Sequence, residues 1–168
     1  MGSIIVLSGP VGAGKTTVGG ALIEGLAPPA AYMEGDDFWP FLKKPKPDRR
    51  GNFQTIMRAM FRGAAAFAAD GYQVILDFSM PPWFLERAVA RVPGATVHYV
   101  VLRPSLDACA RRAAERDEGR IVDYAPYREL YDLFEAPERH VIRNDDLAPD
   151  DAARIIREGM ASGRFNFP

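Results

Sequence analysis

The sequence predicts an α/β protein built on one five-stranded parallel sheet with helices on both faces. Three observations carry this expectation. Short runs rich in Val, Ile and Leu alternate with longer stretches whose apolar residues recur every three or four positions, as in strands joined by crossover helices. The strand-like runs are apolar along their whole length, so both faces of the sheet must be covered. The glycine-rich run Gly9-Pro10-Val11-Gly12-Ala13-Gly14-Lys15-Thr16-Thr17 stands directly behind Ile4-Ile5-Val6-Leu7, where a buried strand would turn into a helix.

Each element has its own signal. Ser3 to Leu7 reads as the first strand. Lys15 to Leu26 places Val18, Ala21, Leu22, Gly25 and Leu26 on one helical face, and Pro28-Pro29 stops it. Ala30 to Met33 reads as a short second strand ending in Glu34-Gly35-Asp36-Asp37. Phe38 to Gly51 carries Pro40, Pro45 and Pro47 among Lys43, Lys44, Lys46, Arg49 and Arg50, which predicts a loop. A long helix follows, with Phe53, Ile56, Met57, Met60, Phe61, Ala64, Ala65 and Ala68 in register until Asp70-Gly71.

Tyr72 to Leu76 is the third strand, closed by Asp77, and Pro81-Pro82 opens a helix carrying Phe84, Leu85, Ala88, Val89 and Val92. Thr96 to Leu102 is the fourth strand. Ser105 is placed to cap a helix with Leu106, Cys109, Ala110 and Ala113 inward. A strongly charged segment, Arg111 to Tyr124, precedes a second helical stripe of Tyr127, Leu130, Tyr131 and Phe134. His140 to Ile142 is the last strand, and Asp150 to Met160 the closing helix. With no repeat, low-complexity tract or linker, residues 1–168 read as a single domain.

Composition narrows the function classes. Lys and Arg number 21 against 22 Asp and Glu, and the net charge of −1 offers no footprint for duplex nucleic acid or an anionic membrane. The single cysteine, Cys109, excludes an intrachain disulfide and has core-face spacing. The chain runs from Met-Gly-Ser straight into its first strand without a signal-type or membrane-spanning stretch, so a cytoplasmic location is expected. His98 and His140 have no metal-ligand partner at suitable spacing and read as structural.

The run from Gly9 to Thr17 has the spacing of a P-loop. Its glycines allow a tight path in which successive N–H groups converge on phosphate oxygens at a helix N-terminus. Lys15 would reach the β- and γ-phosphates and the Thr16 hydroxyl would ligate Mg²⁺. In a parallel sheet, ligands bind beyond the carboxyl ends of the strands, so residues there are the next candidates. A carboxylate of the Glu34–Asp37 cluster can accept the proton of an attacking hydroxyl or hold Mg²⁺ through water, although a solvated turn has the same composition. Asp77 fits a metal contact or a cap on the following turn.

Together, Gly9-x4-Gly14-Lys15-Thr16-Thr17, the Glu34-Gly35-Asp36-Asp37 cluster and the arginine-rich segment after the fourth strand resemble the small P-loop kinases of the gluconate kinase, shikimate kinase, adenylylsulfate kinase and chloramphenicol phosphotransferase group. The resemblance implies a three-layer P-loop NTPase fold with strand order 2-3-1-4-5 and a short arginine-rich lid over about residues 111–126. It implies ATP and Mg²⁺ as cofactors. Asp36 would be the catalytic base or orienter and lie near the metal, and Asp77 would help to hold Mg²⁺ with Thr16. Whether Asp36 or Asp37 is the base stays open. Arg112, Arg116 and Arg120 repeat every four residues, so a continuous helix would form one basic ridge able to close over the phosphates; a salt-bridged surface helix with Glu115, Asp117 and Glu118 is the alternative. By family position Arg116 and Arg120 are the catalytic lid residues, with Arg112 beside the nucleotide. Arg143 and Asn144 follow the last strand, where relatives surround the adenine, and a capping turn would use the same residues.

The acceptor side would be drawn from Asp37, Phe38, Trp39, Arg49, Arg50 and Arg58, with Phe78, Met80 and Trp83 as further aromatic or apolar candidates. Where the gluconate kinase pattern has a histidine before the proline, this chain has Trp39, which implies a more apolar or aromatic acceptor. The expected activity is transfer of the γ-phosphate of ATP to a hydroxyl of a small molecule such as a sugar acid, nucleoside or antibiotic-like compound. A nucleotide or nucleic-acid-end kinase and an ATPase switch without a small acceptor are the rivals; a GTPase base signature of the Asn/Thr-Lys-x-Asp type is missing.

Overall fold

The structure, a computed structural model, describes residues 2–92, 94–117 and 119–168, so Glu118 of the charged segment lies outside the described residues. In chain order the elements are β1 (Ser3–Ser8), α1 (Lys15–Glu24), β2 (Ala30–Glu34), α2 (Arg49–Ala69), β3 (Gln73–Asp77), α3 (Pro82–Val89), β4 (Thr96–Leu102), α4 (Leu106–Ala114), α5 (Arg128–Asp132), β5 (Val141–Ile142) and α6 (Pro149–Ala161). The strands form one parallel sheet in the order β2-β3-β1-β4-β5, the order that the resemblance implied.

Alternation along β1 explains why helices must cover both faces. Ile4 and Val6 point into a core with Ile56, Met60 and Phe61 of α2 and Leu85 of α3. Ile5 and Leu7 point the other way, against Val18 and Leu22 of α1 and Ala152 and Ile156 of α6. All four β1 side chains are fully buried, and each contributes about 1.5–3 kcal/mol of apolar burial. The register then aligns the functional strand ends. Asp77 stands opposite Leu7 on one side and Glu34 on the other, beside the start of the glycine-rich turn.

The structure corrects three expectations and adds one feature. Phe38 to Gly51 is not one irregular loop: Gly35–Phe41 winds as a 3-10 helix that packs Phe38 and Trp39 on the core, and α2 begins at Arg49. Asp48 sets that start, because its carboxylate accepts from the Arg50 and Gly51 amides at 3.0 and 2.9 Å. The predicted arginine ridge does not form, because α4 ends at Ala114. The chain folds back instead, with the Ile121 amide donating to the Ala113 carbonyl at 2.9 Å, and Ile121 and Tyr124 pack on Cys109 and Ala113. His140 closes a short 3-10 turn and does not begin the last strand, which holds only Val141 and Ile142. Beyond α6, a tail that the sequence did not reveal runs along β4: the Tyr99 amide donates to Phe165 and the Phe167 amide to Val97, with the Phe165 ring fully buried. Among the described residues, no helix is long and apolar enough to cross a membrane.

Candidate active site

The glycine-rich turn leaves β1 and enters α1 through Gly9, Gly12 and Gly14, all at positive φ. Glycine is also required sterically at Gly12, where a Cβ would run into the carbonyl of Cys109 in α4. Side chains from distant parts of the chain hold the turn from behind. Ser79 donates to the Gly9 carbonyl at 2.9 Å, Tyr124 to that of Val11 at 2.6 Å, and Asn144 to that of Ala13 at 2.9 Å. With these carbonyls engaged, the peptide units are fixed and the turn keeps its curvature for an anion.

Lys15 folds back over the turn, its Nζ donating to the Gly9 and Pro10 carbonyls at 3.2 and 3.1 Å. Burial pulls its pKa below the ordinary lysine value, and the Asp77 carboxylate opposes this. A half-buried ammonium satisfied only by carbonyls gains from a phosphate oxygen within reach.

Next to it, three oxygen-bearing side chains converge. The Thr16 hydroxyl donates to Asp77 Oδ2 at 2.8 Å and lies 3.3 Å from Glu34 Oε1. Tyr32 donates to the same Asp77 oxygen at 2.8 Å and so holds the carboxylate in place. One hydroxyl proton cannot serve both carboxylates on Thr16, and burial, then the Asp77 charge, raises the Glu34 pKa. The cluster therefore lacks positive charge, and its hard oxygen donors fit Mg²⁺. Among the described residues, no cage of three or more His, Cys, Asp or Glu side chains is preformed. A Mg²⁺ ion would then be shared with waters and substrate phosphates, its usual habit.

These groups line one cleft of about 860 Å³. Lys15, Thr16, Thr17, Glu34, Asp36 and Asp77 form its polar floor, and Trp39, Phe53 and Phe78 form an apolar wall. Phe53 stacks on Phe78 at 4.7 Å between ring centroids and lies 6.4 Å from Trp39. Gly35 makes that wall possible, because a Cβ there would enter the Phe78 ring. Arg49 of α2, Arg112 of α4 and Arg116 beyond it line the same cleft.

The family model for chloramphenicol phosphotransferase-like proteins matches residues 2–130. The chain belongs to this family. It is a P-loop kinase enzyme, and similar solved structures share its fold. A sugar kinase from Janibacter sp. HTCC2649 is 16% identical with a TM-score of 0.72, over 96% of this chain and 95% of that one. The adenylylsulfate (APS) kinase of Mycobacterium tuberculosis, in complex with AMPPNP and APS, is 18% identical with a TM-score of 0.70, over 95% and 98%. A tunicamycin resistance protein of Deinococcus radiodurans is 20% identical with a TM-score of 0.72, over 100% and 99%. No match is found among curated proteins.

Of the residues expected at the site of this kinase, Val11, Gly12, Gly14, Lys15, Thr16, Thr17, Asp36, Asp77, Trp39, Arg49, Arg112, Arg116 and Asn144 line the cleft. Gly9, Pro10 and Ala13 are buried within the turn itself. Arg112 donates to the Asn144 and Asp145 carbonyls, both at 2.9 Å, which ties α4 to the end of β5. Others stand elsewhere. Arg143 is exposed and paired with Glu138 at 2.6 Å, not turned to the nucleotide side. Arg120, Asp37, Phe38 and Arg50 are not among the lining residues, and Arg58 lines a different cleft between α2 and α3. Glu34, named in the sequence only as part of the acidic cluster, joins Thr16 and Asp77, and the residues missed as site members are Tyr32, Ser79 and Tyr124. None of the three had a local signal, because each acts through a partner 45 to 113 residues away.

Proposed function

We propose that this kinase transfers the γ-phosphate of ATP to a hydroxyl of a small molecule carrying an aromatic or apolar body. One observation carries the reading: a half-buried lysine on a glycine-rich phosphate cradle, a carboxylate cluster and an aromatic wall all open into one cleft. Thr16 and Asp77, with Glu34 beside them, would hold Mg²⁺, which would neutralise the phosphate chain and shield its leaving oxygen. Lys15 would bind the β- and γ-phosphates. Asp36, exposed at the cleft floor, would orient the acceptor hydroxyl and take its proton as the hydroxyl oxygen bonds to the γ-phosphorus and the bond to the β,γ-bridging oxygen breaks. Arg116 would stabilise charge on the transferring group, and Arg120 would join it only if the lid segment, about residues 111–126, closes further. Trp39 and Phe53 would contact the acceptor, with Arg49 for an anionic substituent.

Relatives named as a sugar kinase, an APS kinase and an antibiotic resistance protein support a small-molecule acceptor. A screen of γ-phosphate transfer across sugars, sugar acids, nucleosides and phenicol- or tunicamycin-like compounds tests the reading. A true acceptor gives transfer that Asp36→Asn lowers by roughly 10²–10⁴-fold while ATP still binds. Near-normal transfer by that variant would remove Asp36 from the mechanism, and ATP hydrolysis indifferent to every acceptor would favour a nucleotide switch.

A further inference from the structure

A second cleft, of about 120 Å³, lies between α2 and α3. Arg58 and Arg62 of α2, Arg87 of α3 and Arg91 in the turn after it line this cleft, and Trp83 stands on the same wall as Arg87. No carboxylate lines it, and among the described residues none of these arginines makes an ion pair. Arg58 donates to the Thr55 hydroxyl at 3.2 Å, and some arginines elsewhere are held more firmly: Arg154 lies between Asp151 and Glu158, and Arg112 and Arg164 hold backbone carbonyls.

All four arginines are exposed, so their guanidinium groups are free to turn onto an anion. Arg58 and Arg62 stand one helical turn apart on α2, and Arg91 lies in the turn just beyond Arg87 and the end of α3. The two pairs then share one cleft over an apolar floor that includes Phe61 and Phe84, both 6% exposed or less. Planar guanidinium forks match phosphate oxygens bidentately, and two phosphate groups at about −1.5 to −2 each balance four guanidinium charges.

We propose that the α2–α3 cleft binds a diphosphate or closely spaced bisphosphate group, at a site separate from the P-loop cleft. The inference is independent of the phosphotransferase reading, because it uses none of the residues assigned to the reaction apart from Arg58, an expected acceptor contact that lies in this cleft and not in the other.

Trp39 and Trp83 are the only tryptophans, so Trp39→Phe leaves Trp83 as the sole indole reporter. With AMPPNP saturating the P-loop, inorganic pyrophosphate titrated into this variant should change Trp83 emission saturably. Adding Arg62→Gln and Arg91→Gln should weaken that binding roughly tenfold or more and leave AMPPNP affinity unchanged. Pyrophosphate should also raise the melting temperature of the parent but not of the arginine variant, and without pyrophosphate the arginine variant should melt no lower than the parent. No saturable change, equal affinity in the arginine variant, or binding abolished by Lys15→Ala would overturn the proposal. Tighter binding of a short single-stranded oligonucleotide through the same arginines would overturn the small-ligand assignment.

Discussion

Replacing Gly35 by alanine puts a methyl group into the Phe78 ring, with Cε2 at 2.5 Å and Cγ and Cδ2 nearer still. The ring has little freedom to yield, because it is 6% exposed and stacked on Phe53 at 4.7 Å. Overpacking of this kind costs about 1–3 kcal/mol. For a chain of this length each kcal/mol moves the melting temperature by about 2–4 °C, so Gly35→Ala should melt about 2–12 °C lower. The displaced ring belongs to the apolar wall, so the acceptor KM should rise roughly tenfold. The nucleotide KM should change less, since Lys15 and the glycine-rich turn are held by partners other than Phe78. Gly20→Ala is the matched control: it sits on an exposed face of α1 with nothing within 4 Å of the added Cβ, and should gain about 0.8–1.0 kcal/mol from helix propensity alone. Differential scanning calorimetry with steady-state kinetics reads both. Wild-type melting and KM for Gly35→Ala, or an equal loss in a Phe78→Leu background where the clash is relieved, would refute the steric argument.

Three further outcomes are expected. Glu34 binds its proton more readily folded than unfolded, so the chain loses stability as pH rises above the ordinary carboxylate value of 4.5. Glu34→Gln should therefore melt higher than wild type at pH 7 without Mg²⁺, with the gap closing towards pH 4.5 and Mg²⁺ raising the wild type more; the thermal midpoint against pH and Mg²⁺ measures it. Arg116→Ala should lower kcat by roughly 10²-fold or more, as for other donors to transferring charge, whereas Arg120→Ala, outside the cleft lining, should change it less; rapid-quench kinetics separates the two. Tyr124→Phe removes the 2.6 Å hydrogen bond to Val11 and should cost about 0.5–1.5 kcal/mol while raising the nucleotide Kd, read by calorimetric titration.

Local signals made the donor half of the site legible. The glycine spacing, the apolar β1 and the strand-ending Asp77 are each properties of a few neighbouring residues, and the sheet brings them together as expected. The continuous arginine helix does not form, for a physical reason. Arginines at 112, 116 and 120 keep helical spacing, but burying Ile121 and Tyr124 on Cys109 outweighs continued helix, and the chain turns back after Ala114. Prolines hid the start of α2 in the same way, since Asp48 caps a helix immediately after Pro47. Glu34 and Asp77 meet only through the β2–β3 register, which no window of sequence contains.

The crowding of Gly12 against the Cys109 carbonyl, and of Gly9 against that of Leu102, bears on how the molecule acquires its activity during folding. The nine-residue motif is complete within the first 17 residues, yet the surfaces that mould it arrive almost a hundred residues later in synthesis. An amino-terminal fragment ending before β4 would carry the whole motif and no anion cradle. The anion cradle is therefore an acquisition of the finished sheet, and a nucleotide added during refolding is expected to report the last docking step, not the first strand to form.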